Sequence, residues 1–308
     1  MPTFWMMVGL PGSGKSTFVA ETVTGKDDIV AHSSDAIRQE ILGDINDQSQ
    51  QDKVFAVLKQ RVWDDLRAGK DVIFDATNLV SKRRRHFLTE LAQQKIENLM
   101  TACMFMATPY DECVRRNNSR DRKVPGHVLR RMYESFDPPM YQEGWKAILI
   151  QDAEMEEKPK FWHLLSRLMV LEHDNPHHTL TVGQHCMATA ELMSRRYGKN
   201  KNAIIAAMLH DIGKERTKVF RDSRGNPSDI AHYYNHEHVG AYDSFSYTDG
   251  FSTEDRLWIA MLIRYHMYPF AIEKSENPKK TEEKLRKLVG ADAFFDLMTL
   301  HKCDVDAH

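Results

Sequence analysis

The feature that most constrains this chain is a glycine-rich loop near its N-terminus, Gly9-Leu10-Pro11-Gly12-Ser13-Gly14-Lys15-Ser16-Thr17. An apolar run precedes the loop and a helical pattern follows it, which is the context in which Gly-x-x-x-x-Gly-Lys-Ser indicates a P-loop. Backbone N–H groups of such a loop close round phosphates at the positive end of a helix. We expect ATP to bind at Gly12, Ser13, Gly14, Lys15, Ser16 and Thr17. Lys15 is expected to reach the β and γ phosphates, and Ser16 to hold Mg²⁺.

Hydrophobic periodicity divides the chain into two parts. Apolar runs at 3–8, 28–32, 71–75, 99–106 and 146–150 predict buried strands, with helices between them at 15–24, 34–42, 50–68, 81–95, 109–119 and 126–136. This alternation predicts an α/β domain, a parallel sheet with helices on both faces. The later patterns are only helical, at 161–173, 181–197, 202–212, 229–247, 253–266, 279–289 and 291–307. They predict an all-α domain, with domains at 1–155 and 156–308.

Composition excludes several classes of protein. The formal charge is -2 over 308 residues, so this is no bulk polycation, and any nucleic-acid contact must come from a local basic patch. No apolar run approaches the roughly 18 residues of a membrane span, and no basic leader precedes the first strand. Four cysteines without a Cys-x-x-Cys pair indicate reduced thiols and predict a cytoplasmic location, with no membrane partner. The oligomeric state is not set by the sequence.

Polar residues follow the second and third predicted strands. Asp35 and Arg38 lie three apart at a helix start, so both project to one side. The carboxylate could accept the proton of an attacking hydroxyl, and the guanidinium could hold a phosphate. Asp35 could equally be only a helix-start residue that interacts with the dipole, with Arg38 a surface cation. Asp75 ends the third strand, at the sheet edge where ligands of α/β folds bind.

Basic residues cluster in two segments near these positions. Lys82-Arg83-Arg84-Arg85 follows Asp75, and the span 115–131 holds seven basic residues and one acid. A run of this kind is often a solvated helix face. Beside a phosphate site it could form a lid over ATP and a track for a polyanion.

Several ordered motifs together resemble the kinase domain of the phage polynucleotide kinase–phosphatase family over residues 1–136. These are the glycine loop, Ser-Asp-Ala-Ile-Arg, Asp-Ala-Thr-Asn-Leu-Val-Ser-Lys-Arg-Arg, and Arg-Arg-Asn-Asn-Ser-Arg with its trailing Val-Pro and Leu-Arg-Arg-Met-Tyr. The resemblance implies transfer of the ATP γ-phosphate to a 5′-hydroxyl of RNA or DNA. It implies Asp35 as general base, Arg38 on the phosphate 3′ to the acceptor nucleoside, and Asp75 at the acceptor site. Arg120 would neutralise transition-state charge, supported by Arg116, with Arg122 an alternative to Arg120.

Histidines are concentrated in the second half. His210-Asp211 ends an apolar helical run, and further His and Asp residues lie at His185, His236, His266 and Asp304. Sets of imidazoles and carboxylates suit divalent transition ions that activate water.

This pattern resembles the HD phosphohydrolase superfamily over residues 161–308. The resemblance implies His185, His210, Asp211 and Asp304 as metal ligands, with His236 and His266 for a second ion such as Mn²⁺. It implies that Lys214 steadies the scissile phosphate. His178 competes with His185, and Asp306 with Asp304; His177, His232 and His238 are expected to be bystanders. The haloacid-dehalogenase-type phosphatase motif of the phage family, Asp-x-Asp-Gly-Thr, does not occur here.

Together the two halves favour an enzyme that heals broken strands, and we expect RNA to be its substrate in preference to DNA. The kinase would phosphorylate a 5′-hydroxyl end, the HD site would remove a 2′,3′-cyclic or 3′-phosphate, and a separate ligase would then seal. Two alternatives stay open. One is a small-molecule or nucleoside kinase fused to an HD nucleotide phosphohydrolase. The other is a non-catalytic, nucleotide-gated RNA-binding sensor.

Overall fold

The computed structural model describes residues 1–176, 179–198 and 200–307. The chain forms two compact units. The first contains Met1–Leu129 and Pro139–Ala153, and the second contains Arg130–Pro138 and Glu154–His308. The sequence prediction assigned residues 130–138 to the first domain, whereas compactness groups them with the second unit. The predicted domains 1–155 and 156–308 stay a prediction.

The first unit is built on a five-stranded parallel sheet of order β2-β3-β1-β4-β5. Its strands are β1 (Thr3–Val8), β2 (Ile29–Ser33), β3 (Asp71–Asp75), β4 (Met100–Ala107) and β5 (Ala147–Asp152). Its helices are α1 (Lys15–Val23), α2 (Ser34–Leu42), α3 (Gln51–Arg67), α4 (Ser81–Gln93) and α5 (Tyr110–Asn118), and α6 (Gly126–Tyr133) carries residues of both units. All five predicted strands are confirmed, and the α/β fold with them.

Helices cover both faces of this sheet because alternate residues of β1 point to opposite sides. On one face Met7 packs with Val19 of α1 and with Ile73 of the neighbouring strand. On the other face Phe4 stacks on Phe87 of α4, with ring centroids 5.1 Å apart. The sheet is therefore buried on both sides, which is why its strands read as continuous apolar runs.

The second unit is mainly helical. Its helices are α7 (Phe161–Leu168), α8 (Val182–Tyr197), α9 (Lys201–Leu209), α10 (Lys214–Thr217), α11 (His236–Asp243), α12 (Thr253–Tyr265), α13 (Tyr268–Glu273), α14 (Pro278–Val289) and α15 (Ala291–Asp306). Helix α8 packs against α9 and α15, and α9 packs against α12. The segment Arg130–Pro138 is held on this unit by aromatic and ionic contacts: Phe136 meets Tyr242 edge-on at 4.9 Å, and Asp137 accepts from Arg264 at 2.7 Å.

One element of the second unit departs from the expected helices. The strands β6 (Lys218–Arg221) and β7 (Pro227–Tyr233) form an antiparallel hairpin where the sequence predicted a helix over 229–247. The helix begins only at His236. The turn sequence Asp222-Ser223-Arg224-Gly225-Asn226 was the available signal, because Asp222 accepts from two backbone N–H groups of the turn and Gly225 takes a positive φ of 85°. The helical character of the unit as a whole is confirmed.

Two further observations concern the whole described chain. Within the described residues, none of the helices combines the length and apolar character needed to cross a bilayer. All four cysteines are buried thiols that form no disulfide.

Candidate active sites

The glycine loop of the first unit wraps round the ammonium group of its own lysine. Lys15 Nζ donates to the carbonyl oxygens of Gly9 and Leu10, at 2.9 and 2.8 Å. Gly12 has φ 87°, and a Cβ there would lie 2.4 Å from the Cys113 carbonyl oxygen, so only glycine fits. Thr108 Oγ1 donates to the Ser13 carbonyl at 2.9 Å and fixes the loop from β4.

The electrostatics of this loop suit an anion. Burial lowers the pKa of Lys15 to about 8, Asp75 opposes that shift, and the charge of Arg120 lowers the pKa further. Burial raises the pKa of Asp75, and the Lys15 charge opposes it. Ser16 Oγ donates to Asp75 Oδ2 at 3.5 Å, so the predicted Mg²⁺ ligand and the acid at the end of β3 lie together. Thr17 is exposed on the first turn of α1.

Asp35 lies in the first turn of α2, where the Ser33 side chain accepts from its backbone N–H at 3.3 Å. Arg38 donates to Asp35 Oδ1 at 2.6 Å and is only 4% exposed, with Gln51 Oε1 at 3.1 Å on its other nitrogen. Arg122 donates to Asp35 Oδ2 at 2.5 Å. Both oxygens of the predicted base are therefore held by arginines, and the sequence did not predict the contact of Arg122.

Arg120 and Arg116 are the other predicted lid arginines, and both act near the glycine loop. Arg120 is exposed, and its charge acts on Lys15. Arg116 approaches the loop, with a nitrogen 3.7 Å from the Cβ position of Gly14, while its Nε donates to Glu112 at 2.5 Å. The charge of Arg120 thus acts on Lys15, whereas Arg122 forms an ion pair with Asp35. Which of the two arginines neutralises transition-state charge stays a prediction.

Arg84 was expected to belong to an exposed basic track at residues 82–85, but its side chain is buried. Its guanidinium is fully buried and donates to both oxygens of Glu143, at 2.8 and 2.6 Å. It also donates to the Asn78 carbonyl at 2.9 Å, and Trp145 Nε1 donates to Glu143 Oε2. Of the four predicted track residues at 82–85, the other three are exposed. The helical spacing of position 84 with Phe87 and Leu91 could have indicated its burial.

The second unit brings six predicted metal ligands together in two groups. His185, His210 and Asp304 form one group, and Asp211, His236 and His266 form the other. In each group the ligand atoms lie within 4.8 Å of one another. Asp211 links the groups, since its Oδ2 is 3.4 Å from His210 Nε2 and its Oδ1 is 3.3 Å from His236 Nε2.

Each of the four imidazoles in these groups points its Nε2 into the cluster. The Nδ1 atoms lie 2.7–2.9 Å from backbone carbonyls, at Ala307, Ala207, Tyr233 and Ile263 for His185, His210, His236 and His266. A carbonyl only accepts, so Nδ1 carries the proton and the Nε2 lone pair faces inward. This second hydrogen bond is the usual support of a metal-ligating histidine.

The local folds that position these ligands can be read from the sequence. Thr181 and Gln184 form a capping box that starts α8 just before His185. Gly213 follows Asp211 closely, and a Cβ on it would lie 2.0 Å from the His236 carbonyl oxygen. A glycine is therefore required for the turn after α9 to approach the start of α11.

The residues present fit a divalent cation. His210 Nε2 is buried without a hydrogen-bond partner, and His236 Nε2 faces His266 Nε2 at 3.2 Å. Burial works to lower the pKa of His210, yet Asp211 and other groups raise it well above its usual value. Burial and the charges of His236 and His210 lower the pKa of His266 to about 3. The carboxylates beside His210 thus favour a positive charge in the pocket, the charge that a bound cation would supply.

Lys214 lies beside this cluster, with Nζ 2.6 Å from Asp211 Oδ2. His173, which the sequence analysis did not single out, lies 3.5 Å from Lys214 Nζ through its Nδ1 and is 1% exposed. Asp306 bonds to Arg196 and is not in either group. His178, the alternative to His185, and His177 lie outside the described residues.

Comparisons with known proteins divide the chain in the same way. Residues 4–139 match the family model described as the AAA domain, and residues 177–294 match that of the HD domain. A curated relative, the L-seryl-tRNA(Sec) kinase of Methanococcus maripaludis, is 28% identical over 144 residues, which are 46% of this chain and 54% of that protein. The chain thus spans about half the length of this relative.

Solved structures resemble only parts of the chain. A chain of a Pnkp1/Rnl/Hen1 complex is 25% identical over 41% of each chain, with a TM-score of 0.33. A kinase-like protein of Chloroflexus aurantiacus is 18% identical over 49% of this chain and 88% of its own, with a TM-score of 0.40. With TM-scores this low, the two family models carry the assignment. The chain thus consists of a P-loop, kinase-like α/β half that matches the AAA-domain model and a helical half that matches the HD-domain model.

Proposed function

We propose that the protein is a bifunctional end-healing enzyme that acts on nucleic acid, with RNA as the preferred strand. Its first unit would transfer the ATP γ-phosphate to a 5′-hydroxyl, and its second would remove a 2′,3′-cyclic or 3′-phosphate. The observation that carries the proposal is the presence, in one chain, of a phosphate loop with a nearby carboxylate and a cluster of six metal-ligand side chains.

The kinase half is supported by the environment of Asp35. Its charge acts on both Lys15 and Asp75, so the carboxylate lies near the loop where the γ-phosphate would be bound. Asp35 could take the proton of the acceptor hydroxyl as the phosphoryl group arrives. Arg122 and Arg38 hold the two oxygens of this carboxylate in place, and Arg120 would balance charge near the transferred phosphoryl group.

The phosphoesterase half is supported by the ligand cluster. A divalent ion bound there would polarise a phosphate and make water more acidic. The chain's own contribution is orientation: backbone carbonyls fix four imidazoles, and Asp211 is held by Lys214. Lys214 would also contact an oxygen of the scissile phosphate. Ligands of this type fit one or two transition ions such as Mn²⁺.

The kinase is tested by offering labelled ATP and Mg²⁺ with 5′-hydroxyl RNA, 5′-hydroxyl DNA and free nucleosides. We expect the label on oligonucleotide 5′ ends. Asp35→Asn should lower the rate by about 10²–10⁴-fold, the usual contribution of a general base. Asp27→Asn, at an exposed position of the same unit, is the matched control and should leave the rate unchanged. Label on nucleosides alone would contradict the proposal.

The phosphoesterase is tested on RNA with a 2′,3′-cyclic phosphate end, with Mn²⁺ and with other divalent ions in turn. His210→Ala should abolish release of the phosphate, because it removes one ligand and leaves Asp211 and Asp304 facing each other. His163→Ala, at an exposed position of the second unit, is the control. If the wild-type protein leaves this RNA end intact with every ion, the second half of the proposal is wrong.

A second candidate function is phosphorylation of a different hydroxyl, followed by an unrelated HD hydrolysis. The observation that favours it is the curated relative named as a kinase of L-seryl-tRNA(Sec). The nucleoside and oligonucleotide arms of the kinase assay separate the two candidates. A sealing ligase as functional partner and a cytoplasmic location belong to the end-healing proposal and follow from it.

A further inference from the structure

In the sequence, the hairpin of β6 and β7 lies between consecutive metal-ligand residues of the HD site. It follows His210 and Asp211 and ends just before His236. Its last residue is bound into the cluster, because the Tyr233 carbonyl accepts from His236 Nδ1 at 2.8 Å. Lys214 Nζ lies 5.4 Å from the centroid of the Tyr233 ring. A ligand that lay along this hairpin would therefore reach the HD site at one end.

One face of the hairpin is apolar, aromatic and exposed. Val219 lies opposite His232, so their side chains share a face, and the ring of Tyr234 stacks on His232 at the end of the same face. Ile230 lies near this face, in an irregular stretch of β7. Val219, Ile230 and Tyr234 are 38%, 41% and 40% exposed. His232 and Tyr234 are stacked, with ring centroids 5.5 Å apart and planes only 3° from parallel. In this parallel stack the exposed ring of Tyr234 could extend the stack to a third ring.

Charge on the hairpin favours an anionic partner. Arg221 and Arg224 are exposed, as is one acid, Asp229. Over residues 218–234 the three basic residues (Lys218, Arg221 and Arg224) outnumber the two acids (Asp222 and Asp229) by one. Asp222 is engaged within its own turn, where it accepts from the backbone N–H groups of Arg224 and Asn226 and from the Asn226 side chain. Guanidinium groups beside stacked aromatic rings are the combination that single-stranded nucleic acids bind, through phosphates and base faces.

We propose that the face formed by Val219, His232 and Tyr234 binds the single-stranded segment that leads to the 3′ end in the HD site. Bases would stack on Tyr234 and His232, with Arg221 and Arg224 near the phosphates. The β7 strand, seven residues long, extends roughly 20 Å at about 3.3 Å per residue, enough for several bases. This inference rests on the proposed function, since it assigns a polynucleotide to the HD site.

The test uses the full chain loaded with Mn²⁺ and two substrates, a 12-nucleotide RNA ending in a 2′,3′-cyclic phosphate and a mononucleotide 2′,3′-cyclic phosphate. In Tyr234→Ala, KM for the 12-mer should rise about 5- to 150-fold relative to KM for the mononucleotide, which is the effect of losing one stacked base. Tyr234→Phe keeps the ring and should restore the wild-type ratio. Phe295→Ala removes an aromatic ring that is 63% exposed on α15 and should leave the ratio unchanged.

A second readout does not depend on turnover. Fluorescence anisotropy of a 12-mer with a 5′ fluorophore and a 3′-phosphate gives Kd at fixed salt, and Kd should rise with KM in Tyr234→Ala. Metal content is measured for each variant. If Tyr234→Ala loses metal, Val219→Glu is used as the test variant. It adds a negative charge to the same face and should therefore weaken binding of the 12-mer.

The outcomes separate this inference from the proposed function. If the wild-type protein cleaves both substrates with equal KM, or if Tyr234→Ala and Val219→Glu bind the 12-mer like wild type, the hairpin inference is wrong while the end-healing proposal stands. If no end is hydrolysed but Kd depends on Tyr234, the inference survives and the phosphoesterase proposal fails. If Tyr234→Ala instead turns a dimer into a monomer with unchanged RNA binding, the face binds a second copy and the inference is overturned.

Discussion

Replacement of Gly213 by alanine tests whether close backbone approach assembles the HD cluster. Gly213 has φ -65° and ψ -18°, an ordinary helical conformation that alanine adopts readily. On intrinsic helix propensity alone, alanine would stabilise this position by about 1 kcal/mol. The tertiary structure predicts the opposite sign, because an added Cβ would lie 2.0 Å from the His236 carbonyl oxygen and 2.7 Å from the Gly240 nitrogen.

The size of the effect follows from the distance that must open. Ordinary contact begins at 3.4 Å, and both opposing atoms belong to backbone, so no side chain can rotate away. Overpacking of this kind costs about 1–3 kcal/mol, and sometimes more. The same movement displaces His236, whereas metal–ligand distances tolerate only about 0.2 Å. We therefore expect Gly213→Ala to lose stability and most of its bound metal together.

The assay combines metal analysis with thermal unfolding of the full chain. Wild type and variant are stripped with a chelator, reloaded with Mn²⁺ and desalted, and the metal content per chain is measured. Gly250→Ala is the matched control, because a Cβ there has nothing within 4 Å and its φ is not in the left-handed region. It should retain metal and unfold at the wild-type temperature or slightly above. A Gly213→Ala protein with full metal content and an unchanged unfolding temperature would refute the reasoning.

Three further predictions concern the first unit and the thiols. Glu143→Ala should lower the free energy of unfolding by about 3–5 kcal/mol in denaturant titrations, because it leaves Arg84 charged and buried. Glu40→Ala, which removes an exposed ion pair with Arg61, should leave the unfolding midpoint near that of wild type. Equal midpoints for the two variants would show that the buried pair is not needed for stability. Hydrogen bonds from Arg115 and Arg116, against a smaller opposing effect of burial, lower the pKa of Glu112 to about 2. The folded-state pKa is thus below the unfolded value of 4.5, so the ionised Glu112 contributes its full stabilisation above pH 4.5 and loses it as the pH falls towards 2. Over that interval the free energy of unfolding should fall less in Glu112→Gln than in wild type. Parallel pH profiles of the two proteins would contradict this. Burial raises the pKa of Cys103, and all four thiols are buried, so a thiol reagent should modify four groups in denaturant and far fewer than one within minutes in the native protein. Rapid modification of the native protein would show that the cores open.

Much of the fold was determined locally and could be predicted from the sequence. The strand at residues 3–8, the glycine loop after it and the helix from residue 15 each depend on short-range preferences: apolar continuity, glycine conformations and helix periodicity. The six residues that meet in the cluster are those that the resemblance to the HD superfamily implied as metal ligands. The hairpin was missed because an apolar helical period and an alternating strand are difficult to distinguish over seven residues.

Only the tertiary structure decided which of several residues of the same type forms a given contact. Among neighbouring arginines it buried Arg84 against Glu143 and brought Arg122 to Asp35, and between two nearby aspartates it brought Asp304 to His185 while Asp306 bonds to Arg196. Each of these pairs joins residues between 59 and 119 positions apart. A charge carries no information about its partner at that separation, because the partner is chosen when strands and helices pack and burial makes an unpaired charge costly.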